Sequence, residues 1–331
     1  MSMVSVGSAS VGPGQKGRGF LKVGETPYGT DIGVPVLIVN GARSGKKLWV
    51  QSAIHPVEWT GSMALLRVVN ALNPETVKGT LIAVPALNIT GFGLLGRGSP
   101  YDPIDMNRIW PGDPEGSFTN QAVSILFRQI TTVADYLIDF HCGSHPRTKW
   151  VLHFKGDTEA AKESRRFADA FGWEIVVESK CPKLEGGVYT QTMKRGIPSI
   201  IIEAGQGLAL SGSGVTGEAV KWAYDGIMNE LKYLNIVEGT PGKPDKYFHC
   251  DDFCWGEAKP LPEVKTKRGG IVWALKEPGQ QVSKGEVIAE VYNIWGEVVE
   301  RIQSPVKGII LTIASRPSTN GLAVSQIGIL P

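Results

Sequence analysis

From about residue 20 to residue 235 the sequence alternates short apolar runs with segments of helical periodicity, and this alternation constrains the fold more than any other feature. Apolar runs of about four to eight residues have the length of buried strands, whereas the segments between them repeat apolar residues along one helix face. Such alternation predicts an α/β domain with a mixed, mainly parallel sheet covered by helices on both faces. We expect strands over residues 36–39, 47–54, 80–87, 135–140, 174–177 and 199–203, and helices over residues 59–72, 117–133, 158–171, 187–195 and 215–234.

The sequence changes in character after about residue 240, where Pro241, Gly242 and Pro244 form a predicted linker. Beyond the linker, helical periodicity disappears and Gly/Pro turns separate short β-type runs. This pattern predicts a small all-β barrel over residues 241–331, following a main domain over residues 20–240. Residues 1–19 are rich in Gly, Ser and Val without clear periodicity, so we expect a flexible arm or a strand completed by a partner. The β-type runs cover residues 270–275, 287–292, 298–303 and 308–314.

Charge and composition exclude several classes of function. The net charge of +2, from 34 basic and 32 acidic residues, gives no reason to expect nucleic acid or an acidic membrane as partner. No run of about 18 apolar residues is present, so no membrane span is expected. The N-terminus lacks the basic start and apolar core of a secretory signal, and the four cysteines form no disulfide framework. These features predict a cytoplasmic protein.

A first pair of potential metal ligands, His55 and Glu58, follows the predicted strand over residues 47–54. A His and a Glu three residues apart, on a turn from a strand into a helix, can converge on one ion. Catalytic zinc has three protein ligands and one open position, and this pair supplies two of the three. The same spacing also occurs in solvated surface neighbours, so the pair alone does not establish a metal site.

The third ligand has a candidate in His141, which directly follows the apolar run over residues 136–140. Within that run, Asp139 would be costly to bury without a partner. A metal-bound imidazole whose second nitrogen donates to this carboxylate would supply one. The alternative is an ordinary hydrogen-bonded pair of Asp139 and His141 without metal.

Two further segments place polar groups next to apolar strands or in a long loop. The loop over residues 97–112 carries Arg97, Asn107 and Arg108, and guanidinium groups suit the bidentate binding of carboxylates. Glu203 closes a run of isoleucines, where burial would raise its pKa toward the range of a general base. The alternatives are a solvent-exposed charge for Arg97 and a buried salt bridge for Glu203.

The four motifs together resemble one known family. In order they are H-x-x-E at residues 55–58, D-M-N-R-x-x-P-G at residues 105–112, D-F-H at residues 139–141 and I-x-E-x-G at residues 201–205. This set is similar to the succinylglutamate desuccinylase/aspartoacylase branch of the zinc carboxypeptidase-like superfamily, over about residues 45–331. By position, the resemblance implies one Zn²⁺ per chain, with the following roles: His55, Glu58 and His141 as ligands, Glu203 as general base, Arg108 in catalysis and substrate binding, and Asn107, Arg97 and Tyr189 in substrate binding.

The chain departs from the family pattern at two places. Pro56 and Val57 stand between the first two ligands where the family more often has Gly and Asp, and Cys142 follows His141 where Thr or Ser is common. The C-terminal part resembles a lipoyl/biotinyl-type barrel, but its hairpin over residues 293–297 has no lysine to carry a prosthetic group. We therefore expect an unmodified barrel that packs near the mouth of the site and restricts it to small substrates.

The resemblance implies a zinc-dependent amidohydrolase, a deacylase that releases an acyl group from a small N-acylated amino acid by metal-activated water. The first alternative is a zinc carboxypeptidase that acts on short peptides with the same residues. The second is a non-catalytic small-molecule receptor, and a carrier protein is disfavoured by the missing lysine. The expected partner is thus a small-molecule substrate, and a homo-oligomer stays open.

Overall fold

The computed structural model of the chain describes residues 2–94, 96–209, 212–254 and 264–331. Its helices are α1 (Thr60–Ala71), α2 (Ile89–Phe92), α3 (Phe118–Val133), α4 (Glu159–Ala170), α5 (Val188–Lys194) and α6 (Gly217–Tyr233). Its strands up to residue 213 are β1 (Val4–Val6), β2 (Ala9–Val11), β3 (Gln15–Glu25), β4 (Asp31–Asn40), β5 (Arg43–Ser52), β6 (Lys78–Val84), β7 (Tyr136–Gly143), β8 (Lys149–Phe154), β9 (Ile175–Ser179), β10 (Ser199–Gln206), β11 (Leu208–Ala209) and β12 (Gly212–Ser213).

The remaining strands follow helix α6. They are β13 (Phe248–Cys250), β14 (Phe253–Cys254), β15 (Val264–Lys265), β16 (Gly270–Ala274), β17 (Gln281–Val282), β18 (Val287–Tyr292), β19 (Val298–Gln303), β20 (Gly308–Ile313), β21 (Arg316–Ser318) and β22 (Ala323–Ile329). Short 3₁₀ turns occur at Met106–Arg108 and Pro182–Leu184.

Across the described ranges, nine strands form one mixed sheet in the order β13-β9-β8-β10-β7-β5-β6-β4-β3. The central strands β10, β7, β5 and β6 run parallel to one another. Strand β8 is antiparallel to β10, and β4 and β3 are antiparallel at one edge. The buried central strands carry near-continuous apolar runs, as strands covered on both faces do. The predicted mixed, mainly parallel sheet is confirmed.

Alternate residues of the central strands face two separate hydrophobic cores. Ile138 and Phe140 on β7 pack in one core with residues of α1, α4 and α6. Leu137 between them points to the other face, where it packs with residues of α3. Because successive side chains of a strand point to opposite faces, this alternation places helices on both sides of the sheet, as predicted.

The C-terminal residues form an all-β part, as expected from the loss of helical periodicity. Strands β14, β22, β20 and β17 make one sheet, with β15 paired to β22, and β19, β18, β16 and β21 make a second. The two sheets share an apolar core that includes Val272, Ile288, Ile310 and Ile327. Strand β13, by contrast, pairs with β9 and extends the large sheet beyond residue 240.

The predicted flexible arm over residues 1–19 is wrong for the described residues 2–19. Strands β1 and β2 form an antiparallel hairpin, and β3 begins at Gln15. The apolar side chains of the hairpin alternate with exposed serines and are buried in the same core as α3: Val4, Val6, Ala9 and Val11. This short period-two pattern, rather than the Gly/Ser content, determines the local structure. Gly7 turns the chain at a φ of 57°, where a side chain would collide with the Phe20 carbonyl.

The remaining predicted elements lie close to the observed ones, with ends shifted by a few residues. Strand β6 ends at Val84, directly before Pro85, which has no N–H to donate within a sheet. Strand β8 was not predicted, because its apolar run is only three residues long before His153. Among the described residues, no helix combines the length and the apolar character needed to cross a membrane.

Candidate metal centre

His55 and Glu58 lie in the turn that connects strand β5 to helix α1. Directly after β5, Ala53 has a φ of 58°, which is unusual for a residue with a side chain. The Glu58 backbone N–H then donates to the His55 carbonyl at 2.9 Å, which closes a tight turn. This turn places the two side chains on the same side of the chain. His141 lies near the end of β7, next to β5 in the sheet.

The side chains of His55, Glu58 and His141 converge on one point. His55 Nδ1 lies 3.0 Å from Glu58 Oε2, His141 Nδ1 lies 2.9 Å from the same oxygen, and the two Nδ1 atoms are 3.2 Å apart. Metal–ligand bonds of about 2.0–2.2 Å in a tetrahedron place ligand atoms roughly 3.3–3.6 Å apart. All three residues are at most 9% exposed. The donor set and its spacing therefore fit one metal ion.

Each histidine uses its second ring nitrogen to contact a carboxylate. His141 Nε2 lies 2.9 Å from Asp139 Oδ2, and His55 Nε2 lies 3.1 Å from Asp105 Oδ1. Gln51 donates to the other oxygen of the fully buried Asp139 at 3.1 Å. Carboxylates in these positions fix each imidazole with Nε2 protonated, which leaves the Nδ1 lone pairs directed at the metal position.

The carboxylates around the two histidines of the triad favour a bound cation. Burial lowers the pKa of His141, but the carboxylates of Asp139 and Glu58 outweigh it and raise the pKa well above its usual value. Burial also lowers the pKa of His55, and Glu58 and Asp105 reverse this effect. Burial raises the pKa of Glu58, but the two histidines lower it by a larger amount, so the pKa lies below its usual range. A divalent ion can take the place of the bound protons.

Glu203 lines the same cavity as the triad and lies on β10, directly beside His141 on β7. Burial raises the pKa of Glu203 to about 7, and this effect outweighs the lowering of the pKa by the nearby His141 and His55. A carboxyl group with a pKa near neutrality can both accept and return a proton.

Arg97, Asn107 and Arg108 also reach this cavity. Arg97 forms an ion pair with Asp105 at 3.0 Å and lies 3.7 Å from Glu58. Asn107 is buried, with Nδ2 3.2 Å from His141 Nε2 and Oδ1 accepting from the Val188 N–H. Arg108 is half-buried, and burial lowers the pKa of its guanidinium group.

Tyr189, in contrast, does not reach the cavity. Its ring is fully buried in a hydrophobic cluster with Trp150, Leu184 and Ile201. Burial raises the pKa of its hydroxyl group, which has no hydrogen-bond partner among the described residues. The structure therefore separates Tyr189 from the other residues that were predicted to contact substrate.

Cys142, the residue after His141, has a largely enclosed thiol. Its Sγ lies 3.4 Å from the Thr60 hydroxyl, and burial raises its pKa. Its backbone N–H donates to Glu58 Oε2 at 3.4 Å. Cys142 thus supports the triad through its backbone while its side chain stays protonated.

Residues from the C-terminal sheets complete the cavity, which has a volume of about 420 Å³. Their position in the cavity lining agrees with the prediction that the C-terminal part packs near the mouth of the site. No role was predicted for these C-terminal residues or for Asp105, and among them only Asp105 lies within a motif that could have identified it. The contributing residues are Thr312, Ala314, Arg316, Ala323, Val324, Ser325 and Gln326.

Two known proteins are similar to this chain over most of its length. The chain is 28% identical over 290 residues to N-alpha-acetyl-L-2,4-diaminobutyric acid deacetylase of Halomonas elongata, covering 84% of this chain and 80% of that protein. The crystal structure of a succinylglutamate desuccinylase/aspartoacylase from Rhodobacter sphaeroides is similar with a TM-score of 0.80 and 25% identity, over 96% of this chain and 95% of that one.

A more distant likeness concerns the fold alone. A metallo-carboxypeptidase from Burkholderia cenocepacia gives a TM-score of 0.50 at 18% identity, over 66% of this chain and 64% of that one. Residues 44–216, more than half of the 331-residue sequence, match the profile of the succinylglutamate desuccinylase/aspartoacylase catalytic domain. The chain therefore belongs to the succinylglutamate desuccinylase/aspartoacylase family.

Proposed function

We propose that this protein is a zinc-dependent deacylase that hydrolyses the amide bond of a small N-acylated amino acid in the cytoplasm. The observation that carries the proposal is the convergence of His55, Glu58 and His141 within 3.2 Å of one another, beneath a cavity that Glu203 also lines. Two histidines and one carboxylate are a ligand set of catalytic zinc sites, in which one position stays open.

Different residues of the cavity carry out different parts of the proposed hydrolysis. When bound, zinc supplies a Lewis acid for the scissile carbonyl and lowers the pKa of water. Glu203, with a pKa near 7, accepts a proton from the attacking water and delivers it to the leaving amine nitrogen. The guanidinium groups of Arg97 and Arg108 stabilise negative charge that develops on the carbonyl oxygen.

The substrate class follows from the size of the cavity and from the relatives. A cavity of about 420 Å³ suits a small molecule rather than a folded protein. Asn107 and Arg108 are suited to hold the carboxylate of the amino acid, because a guanidinium group binds a carboxylate through two hydrogen bonds. The Halomonas relative is named as the deacetylase of an N-acetylated amino acid, which supports the same bond type here.

The first test of the proposal is metal analysis combined with a substrate panel. The purified protein should contain about one zinc per chain and hydrolyse N-acetyl or N-succinyl amino acids faster than dipeptides. His141→Ala should lose the metal and the activity, because only two ligands remain. His145→Ala, four residues away and outside the triad, is the matched control and should keep both.

Two outcomes would contradict the proposal. Retained zinc and turnover in His141→Ala would show that the triad is not the metal site. Preference for dipeptides over every acyl amino acid would assign the protein to the carboxypeptidase alternative instead.

A further inference from the structure

The sheet face that carries Glu203 continues away from the metal position as an apolar wall. Glu203 lies opposite Trp150 on the neighbouring strand β8, and Ile201 lies opposite Leu152. Residues two apart on a strand, and residues directly opposed across a strand pair, project from the same face of a sheet. Trp150, Leu152 and Ile201 therefore project to the same side as Glu203, and all four line the cavity.

Two residues from outside the large sheet extend this wall. Leu184 comes from the 3₁₀ turn Pro182–Leu184, and Phe253 comes from strand β14. The Phe253 and Trp150 rings lie 5.6 Å apart at an angle of 55°. The five side chains of this apolar wall are between 1% and 6% exposed, and none carries a charge: Trp150, Leu152, Leu184, Ile201 and Phe253.

The position of the wall relative to Glu203 identifies the part of the substrate that contacts it. In the deacylase reaction proposed above, on which this inference rests, Glu203 gives its proton to the leaving amine nitrogen. The substituents of that nitrogen must then lie next to Glu203, where Trp150 and Ile201 are its immediate neighbours. The carboxylate of the released amino acid is assigned to Asn107 and Arg108. The side chain of that amino acid is therefore expected to contact the apolar wall.

We propose that the apolar wall is a subsite for the side chain of the released amino acid, and that this side chain is branched aliphatic or aromatic. A charged side chain would lose its hydration against five apolar neighbours without gaining a counter-ion from them. The Halomonas relative is named for a substrate whose side chain ends in an amine. The present chain is thus expected to differ from it in specificity.

The test uses the zinc-loaded full chain and five substrates: the N-acetyl derivatives of glycine, leucine, phenylalanine and aspartate, and Nα-acetyl-2,4-diaminobutyrate. An apolar pocket discriminates by about 10- to 200-fold for each methylene group. We expect kcat/KM for the leucine or phenylalanine derivative to exceed that of each of the others by about 100-fold. Preference for the aspartate or diaminobutyrate derivative would overturn the subsite but leave the deacylase proposal intact. Hydrolysis of none of the five would contradict both.

Two neighbouring residues of strand β10 provide a matched pair of variants. Ile201→Thr places a hydroxyl group in the wall and should lower the leucine-over-glycine ratio of kcat/KM about tenfold. Ile200→Thr makes the same change on the opposite face, in the core below α4 and α6, and should leave the ratio unchanged even if the protein is less stable. Equal ratios in the two variants would overturn the proposal.

Two further measurements do not depend on the folding of Ile201→Thr, and the second does not depend on turnover either. Leu184→Thr alters the wall from a 3₁₀ turn outside the sheet and should shift the ratio in the same direction. Calorimetric binding of free leucine and free aspartate to the zinc-loaded wild type should favour leucine by about tenfold or more. Tighter binding of aspartate would contradict an apolar subsite.

Discussion

At the scale of single residues, the site depends on carboxylates that behave differently because their neighbours differ. Glu58 and Glu203 line one cavity, and burial acts to raise the pKa of both. Glu58 lies within 3.0 Å of a nitrogen of each histidine, and these contacts lower its pKa strongly. At Glu203 the histidines lower the pKa too little to cancel the effect of burial, and the pKa is about 7. The first carboxylate is suited to hold a cation, and the second is suited to move a proton.

The Glu203→Gln variant tests this division. We expect it to bind metal like the wild type and to lose a factor of about 100 to 10,000 in kcat, because an amide cannot take up the proton. Since the base must be ionised, the kcat/KM of the wild type should fall as the pH drops below about 7, and the variant should lack this dependence. Steady-state kinetics between pH 5 and 9 together with metal analysis would check both points. An unchanged kcat would show that another group is the base.

At the scale of the secondary-structure elements, helix α6 contains one residue that works against stability. Glu230 is fully buried, and neither carboxylate oxygen has a hydrogen-bond partner among the described residues. Burial, with a smaller contribution from Glu163, raises the pKa of Glu230 well above its ordinary 4.5. The folded state therefore keeps Glu230 protonated at pH values where the unfolded chain ionises it.

Glu230→Met should increase the free energy of unfolding by about 1–3 kcal/mol at neutral pH, because an apolar side chain of similar size replaces a buried acid. The sign of the pH dependence follows from the raised pKa. The wild type loses stability as the pH rises above about 4.5, so the gain in the variant should be smallest below that pH and grow above it. Urea unfolding at several pH values measures the difference.

The exposed Glu218 at the start of the same helix provides the control. Glu218→Met should lower the stability slightly, by about 0.3–1 kcal/mol, through loss of a favourable charge near the helix N-terminus. A destabilised Glu230→Met would show that Glu230 has a favourable partner in the folded protein.

Some secondary-structure elements could be predicted from the local sequence, and others could not. The helices and central strands were predictable because their apolar periodicity is long enough to distinguish them. Strand β8 was not, because a run of three apolar residues does not distinguish a strand from a loop. The N-terminal hairpin was missed because its apolar residues alternate over only three positions in each strand. In such short segments, burial of the apolar side chains against the rest of the protein decides the conformation.

At the scale of the whole molecule, the C-terminal sheets are connected to the metal centre through Thr312. The Thr312 hydroxyl oxygen lies 2.9 Å from the Ser144 N–H and 3.0 Å from the Thr148 hydroxyl. Ser144 follows the strand that carries His141. Nearby, Arg147 forms an ion pair with Glu277 at 2.7 Å. The hydrogen bonds of Thr312 thus hold the segment after β7 in place from across the cavity.

Removal of these hydrogen bonds should affect catalysis more than metal binding. We expect Thr312→Val to keep the metal and to lower kcat/KM about tenfold, because a displacement of about 1 Å at a catalytic site has effects of this order or larger. Thr266→Val removes another buried hydroxyl group of the C-terminal part that does not line the cavity, and it should leave kcat/KM unchanged. Equal effects of the two variants would show that Thr312 acts only through general stability.

The sequence by itself determined the alternation of strands and helices and the ligand motifs at residues 55–58 and 139–141. It could do so because periodicity and short spacings are local properties, and a His and a Glu three residues apart share one turn wherever that turn lies. Only the tertiary structure decided that Asp105 contacts His55, that Trp150 lies beside Glu203 and that Thr312 reaches the segment after β7. These contacts join residues 50 to 168 positions apart, and packing of the sheets, not local preference, brings them together.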